Sequence, residues 1–258
     1  MKKKSAEPQD SKSLKTFFLY SALVCILIFV ALAIKAFFII KASTFDGTHQ
    51  FIIAVVNKDQ VKEVIAFQPD PPSFARVAIN GVLSQDALGS TLGVIPDAYI
   101  IKSNDTSFLD NPSGRTKNMT IVDMLRLVII SKQAAPQNKT QKEIKLPMEP
   151  IVSDRAISSV FKDEAVASEN VSVQIINATQ TPGIGKRLER VITNMGGNVV
   201  AISTAYRKET NSTIRYYGEK TYTLEKLGRI IGFPIEKLDQ EAIADIVITI
   251  GEKGEKRF

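Results

Sequence analysis

The apolar run TFFLYSALVCILIFVALAIKAFFII at residues 16–40 constrains this chain more than any other feature. It contains one charged residue, Lys35. A helix of about 20 apolar residues crosses a hydrocarbon core of roughly 30 Å, so we predict a transmembrane helix. A cleaved signal peptide is the alternative, because Ala31 and Ala33 fit a small-residue cleavage site. The run continues past them, beyond the ~7–15 residues of a signal-peptide core, which favours an uncleaved anchor.

The charges around this run predict its orientation. Residues 1–15 carry five lysines and two acidic residues. Positive charge is retained in the cytoplasm, so we expect residues 1–15 to be a cytoplasmic tail and both folded parts of the chain to lie outside the cell membrane. The single cysteine, Cys25, falls inside the predicted span, so the exported part cannot form a disulfide.

Overall charge argues against one class of partner. The formal net charge is +6, and the cytoplasmic tail supplies part of it. The exported remainder is only mildly basic and has no cluster of lysine and arginine of the kind that binds nucleic acid. We therefore expect the membrane and a component of the cell envelope as partners, and no nucleic acid.

Residues 46–133 predict a small α/β unit. QFIIAVVN and KEVIAFQP are strand-like runs separated by KDQ, which is typical of a hairpin. In TIVDMLRLVIISKQ the apolar residues recur at helical spacing. The following stretch is rich in proline and polar residues, so we predict that 134–169 is a linker.

Residues 170–252 predict a second domain with the order βαββαβ. Its first helix has an apolar stripe, and a pair of glycines follows it; the stripe comprises Ile184, Leu188, Val191, Ile192 and Met195. With right-handed crossovers, both helices cover one face of a four-stranded antiparallel sheet in a ferredoxin-like arrangement, and the other face is free. The predicted fold class is therefore α+β, with a transmembrane helix, a small α/β unit and this C-terminal domain.

The loop NATQTPGIGKRLER lies between a strand and a helix N-terminus, where backbone N–H groups can meet an anion. It lacks the third glycine of a dinucleotide-binding loop, and Arg187 stands where a P-loop needs Ser or Thr, so a nucleotide site is disfavoured. We retain Asn177, Thr179, Gly183 and Arg187 as candidate ligand-binding residues of the loop. Two residues of a later strand, Arg215 and Tyr217, are candidates for a sugar-stacking patch.

Catalytic sets are hard to assemble from this chain. The sole histidine, His49, follows the predicted span closely, and no cysteine is exported. Cys–His and histidine-rich metal sites are therefore incomplete. We predict no catalytic residue, no metal ligand and no cofactor.

The C-terminal motifs resemble those of the LytR C-terminal domain of bacterial envelope proteins. That family pattern has a strand ending in Asn-Gly-Thr, a Gly-Leu-Ala loop that opens a helix, a glycine before the next strand, and a last strand Ala-Asp-apolar-Gly. Here Asn177-Ala178-Thr179, Gly183-Ile184-Gly185, Gly196-Gly197 and Ala244-Asp245 to Gly251 match it, and Ala178 and Gly185 depart from it.

That domain commonly follows a LytR-CpsA-Psr (LCP) domain, which transfers glycopolymers from polyprenyl-pyrophosphate carriers to the cell wall. Residues 49–79 and LGSTLGVIPDAYIIKSN are similar to parts of an LCP domain. Where that family has Pro-Arg-Asp, this chain has Pro69-Asp70-Pro71, which replaces an anion-binding arginine with a carboxylate. Of the later arginine-rich helix, the resemblance leaves only Arg115 and Arg126 as phosphate-binding residues.

The resemblance implies a single-pass cell-envelope protein with a degenerate LCP-like unit. We expect a non-catalytic binding or scaffold module linked to cell-wall polymer assembly. The alternative is an LCP-type phosphotransferase, which would use Mg²⁺ together with Arg115 and Arg126.

Overall fold

A computed structural model describes residues 10–147, 150–240 and 242–257. The chain begins with helix α1, Asp10–Lys41. Within it, Thr16–Lys41 is long and apolar enough to cross a membrane, and no part of its most apolar window is buried against the rest of the protein. At about 1.5 Å per residue its 26 residues exceed the hydrocarbon thickness, so an apolar helix stands where the sequence predicts one.

The region after α1 forms a six-stranded mixed sheet with the order β5-β4-β1-β2-β3-β6. The predicted hairpin is present, since β1 and β2 pair antiparallel. Strand β4 lies parallel to β1, and β6 lies parallel to β3. The strands are β1 Phe51–Asn57, β2 Gln60–Gln68, β3 Ser73–Asn80, β4 Ala98–Lys102, β5 Arg115–Lys117 and β6 Lys139–Lys145, and the helices are α2 Leu88–Leu92, α3 Ile121–Gln133, α4 Pro150–Phe161 and α5 Glu164–Glu169.

This sheet is buried on both faces. Every residue of β1 is buried. Side chains alternate across a strand, so Ile52, Ala54 and Val56 join one apolar cluster, whereas Phe51, Ile53 and Val55 join another. The first cluster includes residues of α2 and α4, and the second includes residues of α3. The sheet is therefore the middle layer of three.

The structure contradicts the prediction that 134–169 is a linker. Strand β6 pairs with β3 over seven residues, and α4 and α5 follow it. Ile144 of β6 and Ile157 of α4 are buried in the same core. The strand escaped prediction because it lies at a sheet edge, where only Ile144 is buried and lysines occupy three of the seven positions. Charged edges of this kind protect a sheet from pairing with other chains.

The C-terminal region forms a five-stranded mixed sheet with the order β10-β9-β11-β7-β8. Its strands are β7 Ser172–Asn177, β8 Asn198–Thr204, β9 Thr213–Tyr216, β10 Ile235–Lys237 and β11 Ile246–Ile250, and its helices are α6 Ile184–Asn194 and α7 Tyr222–Ile231. The predicted order βαββαβ is present as β7, α6, β8, β9, α7 and β11. The short strand β10, between α7 and β11, is additional.

The ferredoxin-like strand order is wrong for this domain. Helix α6 returns the chain so that β8 runs parallel to β7 and lies directly beside it. Strand β7 also pairs parallel with β11, and only the β9–β11 pair is antiparallel. A helical crossover makes the two strands that it joins run parallel. Neighbouring strands of a fully antiparallel sheet run in opposite directions, so β7 and β8 could not lie side by side in the ferredoxin-like arrangement.

The apolar stripe predicted for the first helix of the C-terminal domain is buried. Ile184, Leu188, Val191, Ile192 and Met195 are each at most 5% exposed. Helices α6 and α7 both contribute to a cluster with Val173, Ile175, Ile214 and the isoleucines of β11. The remaining strand residues point to the opposite side, away from α6 and α7, and we name this side the helix-free face. Among the described residues it includes Gln174, Ala201, Thr213, Arg215, Val247 and Thr249.

Candidate functional site

The loop after β7 uses its polar side chains to hold its own shape. Asn177 Oδ1 accepts hydrogen bonds from the backbone N–H of Thr179 at 3.0 Å and from Thr179 Oγ1 at 2.8 Å. Its Nδ2 donates to the carbonyl of Thr181 at 3.0 Å. An asparagine that bonds to the backbone two residues ahead stabilises a turn. Two of the predicted ligand residues, Asn177 and Thr179, are therefore engaged inside the loop.

Gly183 precedes the first residue of α6 and has φ +78°. A Cβ built there meets no atom within 4 Å, so the position requires glycine for its backbone conformation and not for lack of space. Arg187 in the first turn of α6 is only partly exposed, and its Nε is buried without a hydrogen-bond partner among the described residues. A long side chain buries its stem even when it lies beside the apolar stripe of a helix.

Arg215 lies near the centre of the helix-free face. Its neighbours along β9, Ile214 and Tyr216, are buried on the helix side. The guanidinium donates from Nη2 to Thr249 Oγ1 at 3.2 Å. Its Nε and the hydroxyl of Thr213 are buried and have no hydrogen-bond partner among the described residues. The residue as a whole is partly exposed, so the accessible part of Arg215 is the outer part of its guanidinium.

The predicted C-terminal site residues do not form one site. Asn177 pairs with Thr204 and Ile250 where the three parallel strands end. Tyr217 lies at the opposite end of the sheet, where its backbone N–H donates to the carbonyl of Asp245. The loop residues and the pair Arg215–Tyr217 are thus separated along the strands, and Arg215 lies between the two ends.

The two arginines of the α/β unit are also separate. Arg115 lies on the exposed edge strand β5. Arg126 of α3 donates from Nη1 to the carbonyl of Phe45 at 2.5 Å and to Ser43 Oγ at 3.2 Å. It is therefore engaged with the segment that follows α1. Among the described residues the two arginines share neither a hydrogen bond nor a cleft.

Asp123 binds the same segment that follows α1. Its side chain is buried and forms a capping box with Thr120 at the start of α3. The backbone N–H groups of Phe45 and Thr44 donate to it at 3.1 and 3.3 Å, and the hydroxyl of Ser43 donates to it as well. Burial raises the pKa of Asp123, but the hydrogen bonds from Ser43, Thr120 and Phe45 outweigh it and lower the pKa below its ordinary value.

Sequence reasoning missed a group of buried and partly buried polar and charged side chains where α7 meets the α/β unit and the start of α5. We name it the clamp, and it comprises Gln50, Asp97, Asp163, Tyr222, Lys226 and Arg229. Lys226 Nζ of α7 donates to Asp163 Oδ2 at 2.5 Å, and both side chains are 1% exposed. The ammonium also approaches the carbonyl of Gln50 at 3.4 Å. These partners are far apart in sequence, so no local sequence pattern predicts that they are in contact.

A second pair extends the clamp. Arg229 Nε donates to Asp97 Oδ1 at 2.9 Å, and the other oxygen of Asp97 accepts the backbone N–H of Ile52 at 2.8 Å. Burial alone lowers the pKa of Arg229, but the charge of Asp97 reverses this and raises it. Tyr222 donates to Asp163 at 2.9 Å, and burial together with that carboxylate raises its pKa. Buried and paired charges of this kind fix the relative position of the elements that carry them.

An open cleft of about 410 Å³ lies beside the clamp. Its lining comes from both regions of the chain: Gln85, Asp86 and Tyr99 from the α/β unit, and Arg229 and Ile230 from α7. The clamp and the cleft are thus built by residues that meet only when the two regions are packed together.

The fold and the clamp describe an α+β protein with an N-terminal apolar helix and a C-terminal domain packed on the α/β unit. Residues 170–253 match the family model LytR_C, described as LytR cell envelope-related transcriptional attenuator. The C-terminal region is therefore a LytR C-terminal domain, as its motifs predicted. No curated protein and no solved structure matches the chain.

Proposed function

We propose that this protein is a membrane-anchored binding or scaffold module of the cell envelope, linked to cell-wall polymer assembly. The family match and the apolar helix support an envelope location. The clamp is the observation that carries the proposal. The Arg229–Asp97 ion pair and the contact of Lys226 with the carbonyl of Gln50 join α7 to the α/β unit, so a ligand bound to the C-terminal domain stays at a defined place relative to that unit.

The same geometry argues against the phosphotransferase alternative. A pyrophosphate needs converging cations, and Arg115 and Arg126 do not converge. Arg126 is engaged with Phe45 and Ser43, and Asp70 is an exposed carboxylate where the LCP pattern has arginine. We include in this proposal that residues 46–133 are a degenerate LCP-like unit. Such a unit would keep a scaffold role and lack the residues for phosphotransfer.

The wall polymer would bind at the helix-free face of the C-terminal sheet. Arg215 is partly exposed there, and Thr249 takes up only one of its guanidinium N–H groups. An arginine can bind an anionic or hydroxyl-rich polymer through its remaining N–H groups. Tyr217 is 42% exposed at the end of the same strand and extends this surface.

Co-sedimentation with purified bacterial cell-wall fragments tests the proposal. The full chain in lipid nanodiscs is expected to sediment with the fragments, and Arg215→Ala is expected to weaken binding about tenfold, the effect of losing a charged hydrogen bond. Arg207→Ala is the matched control, because Arg207 is an exposed arginine of the same domain. Equal binding by both variants contradicts the assigned surface. Magnesium-dependent release of phosphate from a polyprenyl-pyrophosphate carrier by the wild-type chain contradicts the non-catalytic role.

The proposed orientation places residues 1–15 in the cytoplasm and the remainder after the helix outside the membrane. The excess of lysine before the helix supports it. Protease added to intact protoplasts is expected to digest the region after Lys41 and to spare an N-terminal epitope tag. Digestion of the C-terminal domain only after lysis would contradict this orientation.

A further inference from the structure

The cleft beside the clamp has an apolar floor and a polar rim. Leu88, Val94 and Ile230 form part of the floor and are each at most 7% exposed. The rim carries Gln85, Asp86, Tyr99, Lys117, Asn118 and Arg229. Because these apolar side chains are almost fully buried, most of the accessible lining is polar, and the volume of about 410 Å³ falls within the roughly 300–1,000 Å³ that is usual for a small-ligand site.

The charges of the cleft cancel one another. Arg229 is paired with Asp97 at its base. Lys117 and Asp86, both exposed, contribute one charge of each sign at the rim. A cleft with two cations and two carboxylates does not favour a phosphate or another strongly charged ligand. The balance favours an uncharged molecule.

The remaining groups of the rim are suited to hydroxyls. Gln85 and Asn118 offer both donors and acceptors. Burial raises the pKa of the Tyr99 hydroxyl, although a hydrogen bond with Gln85 opposes the shift, so the hydroxyl stays protonated at neutral pH. The half-buried ring of Tyr99 adds a flat apolar surface, with Lys117 Nζ 5.6 Å from its centroid.

We propose that this cleft binds an uncharged sugar unit of a glycan. The apolar C–H face of the sugar would lie against the half-buried ring of Tyr99, and its hydroxyls would meet Gln85, Asn118 and the hydroxyl of Tyr99. This site is distinct from the surface around Arg215, so it adds a second contact to the proposed function. Because α7 contributes Arg229 and Ile230, the site is complete only while the clamp holds the C-terminal domain in place.

Saturation-transfer NMR on the full chain in nanodiscs tests this site, with the trisaccharide of N-acetylglucosamine as the probe. Wild type is expected to bind it, and Gln85→Ala and Tyr99→Phe are each expected to weaken binding about fivefold, the effect of one hydrogen bond. Tyr99→Phe keeps the ring and therefore the packing. Arg207→Ala, at an exposed arginine that does not line the cleft, is expected to bind the probe as wild type does.

Two results would overturn the assignment. One is a wild-type chain that gives no transfer to the trisaccharide, or two cleft variants that bind it unchanged. The other is tighter binding of trigalacturonate, which would mean that the cleft selects charge. If Arg215→Ala no longer sediments with the wall fragments but still binds the trisaccharide, the result reports on the surface assigned under the proposed function. It does not contradict the cleft site.

Discussion

Replacing Lys226 with methionine is expected to lower the free energy of unfolding by about 3–5 kcal/mol, because it leaves the buried carboxylate of Asp163 without its cation. Asp163 keeps its bonds from Tyr222 and from the backbone N–H of Ala165, at 2.9 and 3.0 Å. Neither of these donors carries a charge. Urea unfolding of the full chain, followed by circular dichroism, measures the change.

The matched control is Lys220→Met, which changes an exposed lysine just before α7. We expect it to alter the stability by no more than about 0.5 kcal/mol. The double variant Lys226→Met with Asp163→Asn removes both charges, so it should recover part of the loss. If Lys226→Met and Lys220→Met unfold at the same urea concentration, the clamp does not hold the domains together.

Asp123→Asn is expected to cost about 2–4 kcal/mol, since several buried donors lose a charged acceptor. The amide cannot accept at both of its terminal atoms, so either the bonds from Ser43 and Phe45 to Oδ1 or those from Thr44 and Thr120 to Oδ2 must be lost. The change should loosen the segment that joins α1 to the folded region. Hydrogen exchange at Thr44 and Phe45 reports it directly, and Asp239→Asn, at an exposed aspartate, is the control.

The free energy of unfolding of the wild-type chain should also depend on pH through Asp123. Its pKa is lower in the folded state than in the unfolded chain, where it is about 3.9. The stabilisation is therefore fully present above roughly pH 4 and is lost as the pH falls through the folded-state pKa. Asp123→Asn should unfold with a smaller pH dependence in this acid range. An unchanged dependence would mean that Asp123 is not a stabilising carboxylate.

Local patterns in the sequence determined the parts of the structure that depend on neighbours along the chain. The apolar run of α1 and the stripes of α6 and α7 follow from hydrophobic spacing, and the glycines after these two helices mark their ends. Gly232 at the end of α7 has φ +70°, as a left-handed helix stop requires. The motifs around Asn177 and Asp245 were sufficient to identify the LytR C-terminal domain.

Only the tertiary structure decided what depends on contacts across the chain. The position of β8 beside β7 follows from pairing between strands, which alternation within each strand does not encode. Strand β6 was hidden because an edge strand buries few side chains, and lysine is favourable there. Lys226 and Asp163 read separately as ordinary surface charges, and they became a buried pair because packing α7 against the start of α5 removed both from water.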